Sequence, residues 1–273
     1  MKNKKKTKKD DKQGTKLIGL IIFLCLILYL FGIFENSNIA NKDSDEIDKI
    51  SFVLGTDVSR YQGDINFDTL YDQSIRFAFI KSTEGTSYVD PNFSVNFYRA
   101  KESGMKVGAY HFYRFEDTGL EQASHFIENV KLEEDDLPPV IDLEYYGDYI
   151  QNPKDPDIVI SEVSNMVEAF RNHYNKRPII YCNRYVYEHY NIADFDVDIW
   201  FRSIDGGYPN LPNFKQWTFW QFDDKATLEG YGGPGANEHI DLNYFYGDME
   251  ELEDYGRNNS WWCCKGIFIR FEF

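Results

Sequence analysis

The sequence predicts an α/β protein, an irregular eight-stranded (β/α) barrel with some helices missing, preceded by one transmembrane helix. Three observations predict this fold. Short apolar or β-branched runs recur eight times after Ser51, helical patterns separate the early runs, and an uncharged apolar stretch lies near the N-terminus. Strands that alternate with helices are typical of parallel sheets with crossover connections. Eight such strands in about 200 residues fit a closed barrel.

The uncharged apolar stretch covers residues 17–34. Eighteen helical residues span about 27 Å at ~1.5 Å each, close to the hydrocarbon thickness of a bilayer. Residues 1–16 hold eight Lys and two Asp, whereas residues 35–51 are polar and acidic. Because positive charge stays on the cytoplasmic side, we expect a basic cytoplasmic segment, a single-pass anchor in the cell membrane, a spacer and an extracellular remainder. A cleaved signal peptide is the alternative, although the apolar core is long for one.

Composition excludes several other classes of protein. With 42% apolar and 17% aromatic residues, the chain can bury a core and is not intrinsically disordered. Beyond residue 16 it carries 21 basic and 43 acidic residues, which argues against a nucleic-acid ligand. The four Cys have neither the pairing of a disulfide framework nor the spacing of a zinc site.

The soluble part is predicted as a barrel over residues 52–250, followed by a tail over 251–273 to which we assign no role. The eight predicted strands are Val53–Val58, Arg76–Lys81, Lys106–Phe112, Pro139–Leu143, Pro178–Cys182, Asp198–Arg202, Gln216–Phe222 and His239–Leu242. The predicted helices are Asn92–Ser103, Gly119–Val130 and Ile158–Tyr174. Later connections are rich in Gly, Pro and Asn, which predicts missing helices. An open nucleotide-binding sheet is disfavoured because no GxGxxG follows the first strand.

Polar and aromatic side chains occupy the predicted strand ends, where the functional groups of parallel barrels lie. Carboxyl groups come from Asp57, from Asp142 with Glu144, and from Asp241. The other candidate ligand-binding residues are Lys81, Tyr110, Tyr181, Trp200 and Gln221. With Tyr61, Tyr145 and Trp220, these aromatic rings beside carboxylates are typical of a sugar-binding cleft, in which ring faces pack on pyranose C–H surfaces.

The tripeptide Asp142–Leu143–Glu144 is the most informative motif. Side chains at i and i+2 of a strand share one face, so both carboxyls are expected to point into the mouth of the barrel. Crowded carboxyls do not all ionise readily, and one retains its proton near neutral pH. A glycosidase needs such an acid. The alternative is an ordinary acidic strand end without a catalytic role.

Six ordered motifs carry a family resemblance: Gly55–Gly63, Phe79–Gly85 with Tyr88–Asp90, Gly108–Phe112, Pro139–Glu144, Trp217–Gln221 and Ile240–Asn243. Together they resemble the signature of the family 25 glycoside hydrolases, lysozymes that act as N-acetylmuramidases on peptidoglycan. The resemblance implies that Glu144 is the general acid, that Asp142 assists, and that neither a metal nor an organic cofactor is needed. Asp142 either attacks directly or orients the N-acetyl group of the substrate. Family 18 chitinases need two further acids, where this chain has Leu137 and Val140.

These motifs predict a membrane-tethered enzyme that cleaves the β-1,4 bond between N-acetylmuramic acid and N-acetylglucosamine. Its expected partners are peptidoglycan strands and, through the N-terminal helix, the membrane. Two alternatives remain open at this point: a non-catalytic module that binds cell-wall glycan, and a hydrolase of another N-acetylated glycan.

Overall fold

The computed structural model describes residues 51–205, 207–211 and 216–257. Eleven strands occur in these residues. In chain order they are β1 Phe52–Val58, β2 Asp64–Ile65, β3 Phe77–Glu84, β4 Tyr88–Val89, β5 Lys106–Phe112, β6 Val140–Asp142, β7 Ile179–Asn183, β8 Asp198–Arg202, β9 Phe219–Ala226, β10 Tyr231–Gly232 and β11 Ile240–Tyr246.

Eight of these strands close into a barrel, as predicted. The order is β1-β11-β9-β8-β7-β6-β5-β3, and β3 pairs back with β1. Closure leaves the barrel sheet without a free edge. The short strand β4 extends β3 as an antiparallel neighbour, while β2 and β10 form a separate two-stranded sheet.

The prediction that all eight strands are parallel is wrong for the last one. Strand β11 runs antiparallel to both β1 and β9. A parallel return needs a crossover connection, usually a helix, but the connection from β9 to β11 holds only the short strand β10. Asp241 therefore lies near the start of β11 rather than at its end. Because the strand is reversed, this start lies at the same rim, with Asp241 opposite Asp57 in the register.

Six α-helices accompany the strands within the described ranges. They are α1 Phe67–Asp72, α2 Phe93–Glu102, α3 Gly119–Asn129, α4 Pro156–Tyr174, α5 Arg184–His189 and α6 Met249–Asp254. The three predicted helices are confirmed to within two residues at each end. Helix α4 begins after Asp155, whose side chain accepts from the Asp157 amide, and ends at Asn175 in the left-handed conformation. The described parts of the late connections 203–215 and 223–238 contain no α-helix, as predicted.

Aromatic side chains fill the barrel interior below the rim. Phe79 stacks on Trp200 at 4.5 Å between ring centroids and meets Phe219 edge-on at 5.0 Å. Gly108 on β5 leaves the room that this packing needs, because a Cβ atom there would lie 2.8 Å from the Phe79 ring. A second apolar layer, which includes Ile141 and Phe170, packs between the barrel and the helices. The residues at the rim are thus supported by a tightly packed barrel interior.

The packed core continues past the predicted boundary at residue 250. Leu252 of α6 and the following Tyr255 are buried in the barrel-interior cluster with Phe219 and Phe245. Leu252 and Tyr255, which fall in the predicted tail, therefore help to fill the barrel.

No helix within 51–257, as far as that range is described, is both long and apolar enough to span a bilayer. The predicted anchor over 17–34, the basic segment 1–16, the spacer up to residue 50 and residues 258–273 lie outside the described residues. The membrane anchor and the extracellular placement stay predictions.

Candidate active site

The register of the barrel strands brings the predicted site residues to one rim. Side chains alternate along each strand, so every second residue near this end faces the interior. Neighbouring strands pair Asp57 with Asp241, Lys81 with Tyr110, Asp142 with Tyr181, and Arg202 with Gln221. Residues far apart in the sequence thus form a single ring at the mouth of the barrel.

A hydrogen-bond network fixes Asp57 at the bottom of the mouth. Its Oδ2 accepts from Gln221 Nε2 at 3.0 Å and from Asn243 Nδ2 at 2.8 Å. The amides are themselves held, because Tyr181 Oη donates to Gln221 Oε1 and Trp200 Nε1 donates to Asn243 Oδ1, each at 2.8 Å. All five residues are buried, so the position of the Asp57 carboxyl is well determined.

Asp142 and Glu144 form the second part of the acidic mouth. Asp142, the last residue of β6, is 7% exposed, and its Oδ1 is buried without a hydrogen-bond partner in the structure. Glu144 follows the strand and is half-buried. Burial raises the pKa of Asp142 well above its usual range, and the charge of Glu144 raises it further. Burial also raises the pKa of Glu144. The pair therefore releases its protons at higher pH than isolated carboxyls.

Asp241 holds a proton at neutral pH. Burial raises the pKa of its carboxyl to about 9, and the neighbouring Asp57 charge contributes in the same direction. Burial also raises the pKa of Asp57, but hydrogen bonds from Asn243, Gln221 and Asp241 oppose that effect. A hydrogen bond from protonated Asp241 to ionised Asp57 accounts for both effects, because it raises the pKa of Asp241 and lowers that of Asp57.

Two cations flank the carboxyls, and each has an acidic partner outside the cluster. Lys81 Nζ lies 2.7 Å from Glu84 Oε2, and an Arg202 guanidinium nitrogen lies 2.7 Å from Asp224 Oδ2. Lys81 thus pairs with Glu84 rather than directly with Asp142 or Glu144. Its charge nevertheless lowers the pKa of both carboxyls relative to the effect of burial alone.

The predicted aromatic residues lie at two depths. Tyr110 is half-buried at the mouth, whereas Tyr181 and Trp200 are 6% and 2% exposed. The Trp200 ring stacks on Phe79, and Tyr181 meets it edge-on at 4.6 Å. Tyr181 and Trp200 therefore form the floor under the carboxyls, and Tyr110 is the accessible ring of the three.

Two further aromatic residues that the sequence suggested for the cleft pack on the outer side of the barrel. Trp220 lies against Trp217 at 5.6 Å between centroids, and Tyr145 lies against Phe115 at 5.8 Å. Strand alternation explains the placement of Trp220, because it directly precedes the inward-facing Gln221 on β9.

Asn243, Arg202 and Asp224 are the site residues to which the sequence assigned no function. Asn243 ended a family-like motif and Arg202 ended a predicted strand, so position was the only available signal.

Across the residues that the structure describes, no group of three His, Cys, Asp or Glu side chains could hold a metal ion. The buried imidazole of His111 forms hydrogen bonds with Thr83 and Gln122, and burial lowers its pKa to about 3.

Comparison with known proteins identifies the family of this barrel. The family model described as glycosyl hydrolases family 25 matches residues 56–231, which include Asp57, Asp142 and Glu144. The chain belongs to glycoside hydrolase family 25. The predicted family is thus confirmed, and the protein is a glycoside hydrolase of the lysozyme type.

Two proteins of known structure share the fold over nearly their whole length. A family 25 glycosyl hydrolase from Bacillus anthracis is 42% identical, with a TM-score of 0.70, over 77% of this chain and 95% of its own. A bacterial lysozyme from Streptomyces coelicolor is 27% identical, with a TM-score of 0.67, over 76% of this chain and 98% of its own. Among curated relatives, Lysozyme M1 of Streptomyces globisporus is 29% identical over 226 residues, or 77% of this chain and 73% of its own.

Proposed function

We propose that this enzyme hydrolyses peptidoglycan at the β-1,4 bond between N-acetylmuramic acid and N-acetylglucosamine, with Glu144 as the general acid and Asp142 assisting. The observation that carries the proposal is the carboxyl pair at the mouth of a family 25 barrel, where burial raises the pKa of both groups. Relatives named as a lysozyme and as N,O-diacetylmuramidases support the substrate class.

The first step transfers a proton from Glu144 to the glycosidic oxygen as the C1–O bond breaks. The raised pKa lets Glu144 keep this proton to higher pH than an isolated carboxyl would. The Oδ1 atom of Asp142 is buried and accepts no hydrogen bond in the structure. It suits the N–H of the 2-acetamido group on the sugar whose C1–O bond breaks. That hydrogen bond would stabilise the ionised form of Asp142. When the two carboxyls hold one proton between them, the proton would then reside on Glu144.

In this proposal the acetamido carbonyl oxygen bonds to C1 as the leaving sugar departs, giving an oxazoline-like intermediate. Asp142 stabilises the positive charge that develops on the acetamido nitrogen. Glu144, now ionised, takes a proton from water, whose oxygen attacks C1 and breaks the bond from C1 to the acetamido oxygen. The unpaired Asp142 oxygen supports this route over direct attack, because the acetamido N–H supplies the hydrogen bond that the oxygen lacks.

Product analysis tests the bond that is cleaved. Purified peptidoglycan is digested, the new reducing ends are reduced with borohydride, and the muropeptides are identified by mass spectrometry. We expect N-acetylmuramitol at the new ends. N-acetylglucosaminitol would contradict the proposed bond, and binding without new ends would indicate a non-catalytic glycan-binding module. Faster cleavage of chitin oligomers than of wall fragments would indicate another N-acetylated glycan as substrate.

A further inference from the structure

Arg202 occupies a defined position in the mouth to which neither the sequence nor the proposed mechanism gives a role. It is the last residue of β8, two positions after the inward-facing Trp200, and it pairs in the register with Gln221, which holds Asp57. Its guanidinium lies 2.7 Å from Asp224 on β9, and the side chains of the pair are 31% and 28% exposed. The ion pair thus holds a cation at the edge of the acidic cluster.

Titratable and charged groups from the other strands of the barrel share the mouth with this guanidinium, and Asp57, Glu144, Tyr181 and Asp241 feel its charge. The groups are Asp57 on β1, Lys81 and Glu84 on β3, Tyr110 on β5, Asp142 with Glu144 at the end of β6, Tyr181 on β7, Asp224 on β9 and Asp241 on β11. Lys81, the other cation of this set, is engaged by Glu84 on the opposite side. Among these groups at the mouth, Arg202 therefore supplies the positive charge beside β8 and β9.

We propose that Arg202 is a positioning residue for hydrolysis: its guanidinium, tethered by Asp224, favours the ionised forms of Glu144, Asp57 and Asp241 against the effect of their burial. It thereby lowers the upper limit of the pH range in which Glu144 acts as an acid. This inference rests on the proposed function. A partly exposed positive charge at the edge of a cluster of carboxyls favours their ionised forms.

The two members of the ion pair act in opposite directions. Burial dominates the raised pKa of Glu144, Asp57 and Asp241, and the positive charge of Arg202 lowers all three. The negative charge of Asp224 raises the pKa of Asp241. Removal of one member should therefore shift the protonation equilibrium of Asp241 oppositely to removal of the other, which a general loss of structure would not do.

The test compares pH profiles of kcat/KM on purified peptidoglycan with ¹³C NMR titrations of the carboxyl groups, the Glu144 resonance being assigned by its absence in E144Q. In Arg202→Gln we expect both limbs of the profile and the Glu144 titration to move up by about half to one pH unit. In Asp224→Asn we expect the Asp241 titration to move toward lower pH, by less than the upward shift in Arg202→Gln. Arg202→Lys keeps the charge and should restore at least half of the shift.

Arg99→Gln is the matched control, because it removes an exposed arginine that pairs with Asp64 outside the site; its profile should match the wild type. Arg202 and Asp224 variants that shift in the same direction, or an Arg202→Gln titration that coincides with the wild type, would overturn the role of Arg202. The NMR titration reads this role without turnover. A wild-type enzyme that releases no reducing ends would instead contradict the proposed function. If Arg202→Gln fails to fold, the Asp224→Asn and Arg202→Lys titrations decide.

Discussion

At the scale of single residues, Asn243 links the acidic mouth to the aromatic residues beneath it. Its Nδ2 donates to Asp57 and its Oδ1 accepts from the Trp200 indole, both at 2.8 Å. The side chain is fully buried, so no water replaces a lost partner. Buried polar groups left without a partner cost more than the hydrogen bond itself contributes.

Asn243→Ala should therefore lower both stability and activity. The substitution leaves the Trp200 N–H without its acceptor and Asp57 with one amide donor fewer. We expect a loss of about 1–3 kcal/mol in the free energy of unfolding, measured with urea. We also expect kcat/KM to fall by roughly 10- to 100-fold, because Asp57 is then held less firmly, by Gln221 without Asn243. Asn129→Ala, at the exposed end of α3, is the control; an Asn243 variant as stable as that control would contradict this role.

The sequence predicted the carboxyl residues of the mouth better than the residues that hold them. Asp57, Asp142 and Glu144 stand at or just after the ends of apolar runs, and in a parallel barrel such ends meet at one rim. Asp241 reaches the same rim from the start of the reversed strand β11. The bonds from Gln221 and Asn243 to Asp57 join residues 164 and 186 positions apart. Such partners depend on strand register, which a single sequence does not contain.

At the scale of elements, strand periodicity predicted where the barrel strands lie but not the direction of each. The alternation of apolar and polar residues in β11 reads the same whether the strand is parallel or antiparallel. Only the connection from β9 distinguishes the two, and its Gly-rich stretch before β11 does not form a crossover helix. The two-residue strands β2, β4 and β10 escaped prediction because they are too short to show a period.

At the scale of the whole molecule, the buried carboxyls couple the stability of the barrel to pH. Burial raises the pKa of Asp241 from 3.8 to about 9, so between these values the folded chain holds a proton that the unfolded chain has released. The free energy of unfolding therefore falls as pH rises through this window. The raised pKa values of Asp57, Asp142 and Glu144 act in the same direction.

Two other buried groups limit the range in which this effect dominates. Burial lowers the pKa of His111 from 6.5 to about 3, which makes stability rise with pH below 6.5. Burial also lowers the pKa of Lys176 from 10.5 to about 8, which makes stability rise with pH above 8. The interval between pH 6.5 and 8 therefore reports mainly on the carboxyls.

We expect Tm to decrease as pH rises from 6.5 to 8. Asp241→Asn, whose amide resembles the protonated acid but does not titrate, should show a smaller decrease over the same interval. Differential scanning calorimetry at constant ionic strength measures both slopes. A wild-type Tm that stays constant or rises in this interval would show that the carboxyls at the mouth are not protonated in the folded enzyme.

The central claim is that Glu144 delivers the proton to the departing sugar, and the rate of reducing-end release by Glu144→Gln tests it most directly. The amide is nearly isosteric but lacks the acidic proton. We predict a rate on purified peptidoglycan about 10²- to 10⁴-fold below the wild type, at an unchanged Tm. Glu188→Gln, the same substitution on the exposed face of α5, should keep full activity. A Glu144→Gln enzyme within tenfold of the wild type would contradict the claim.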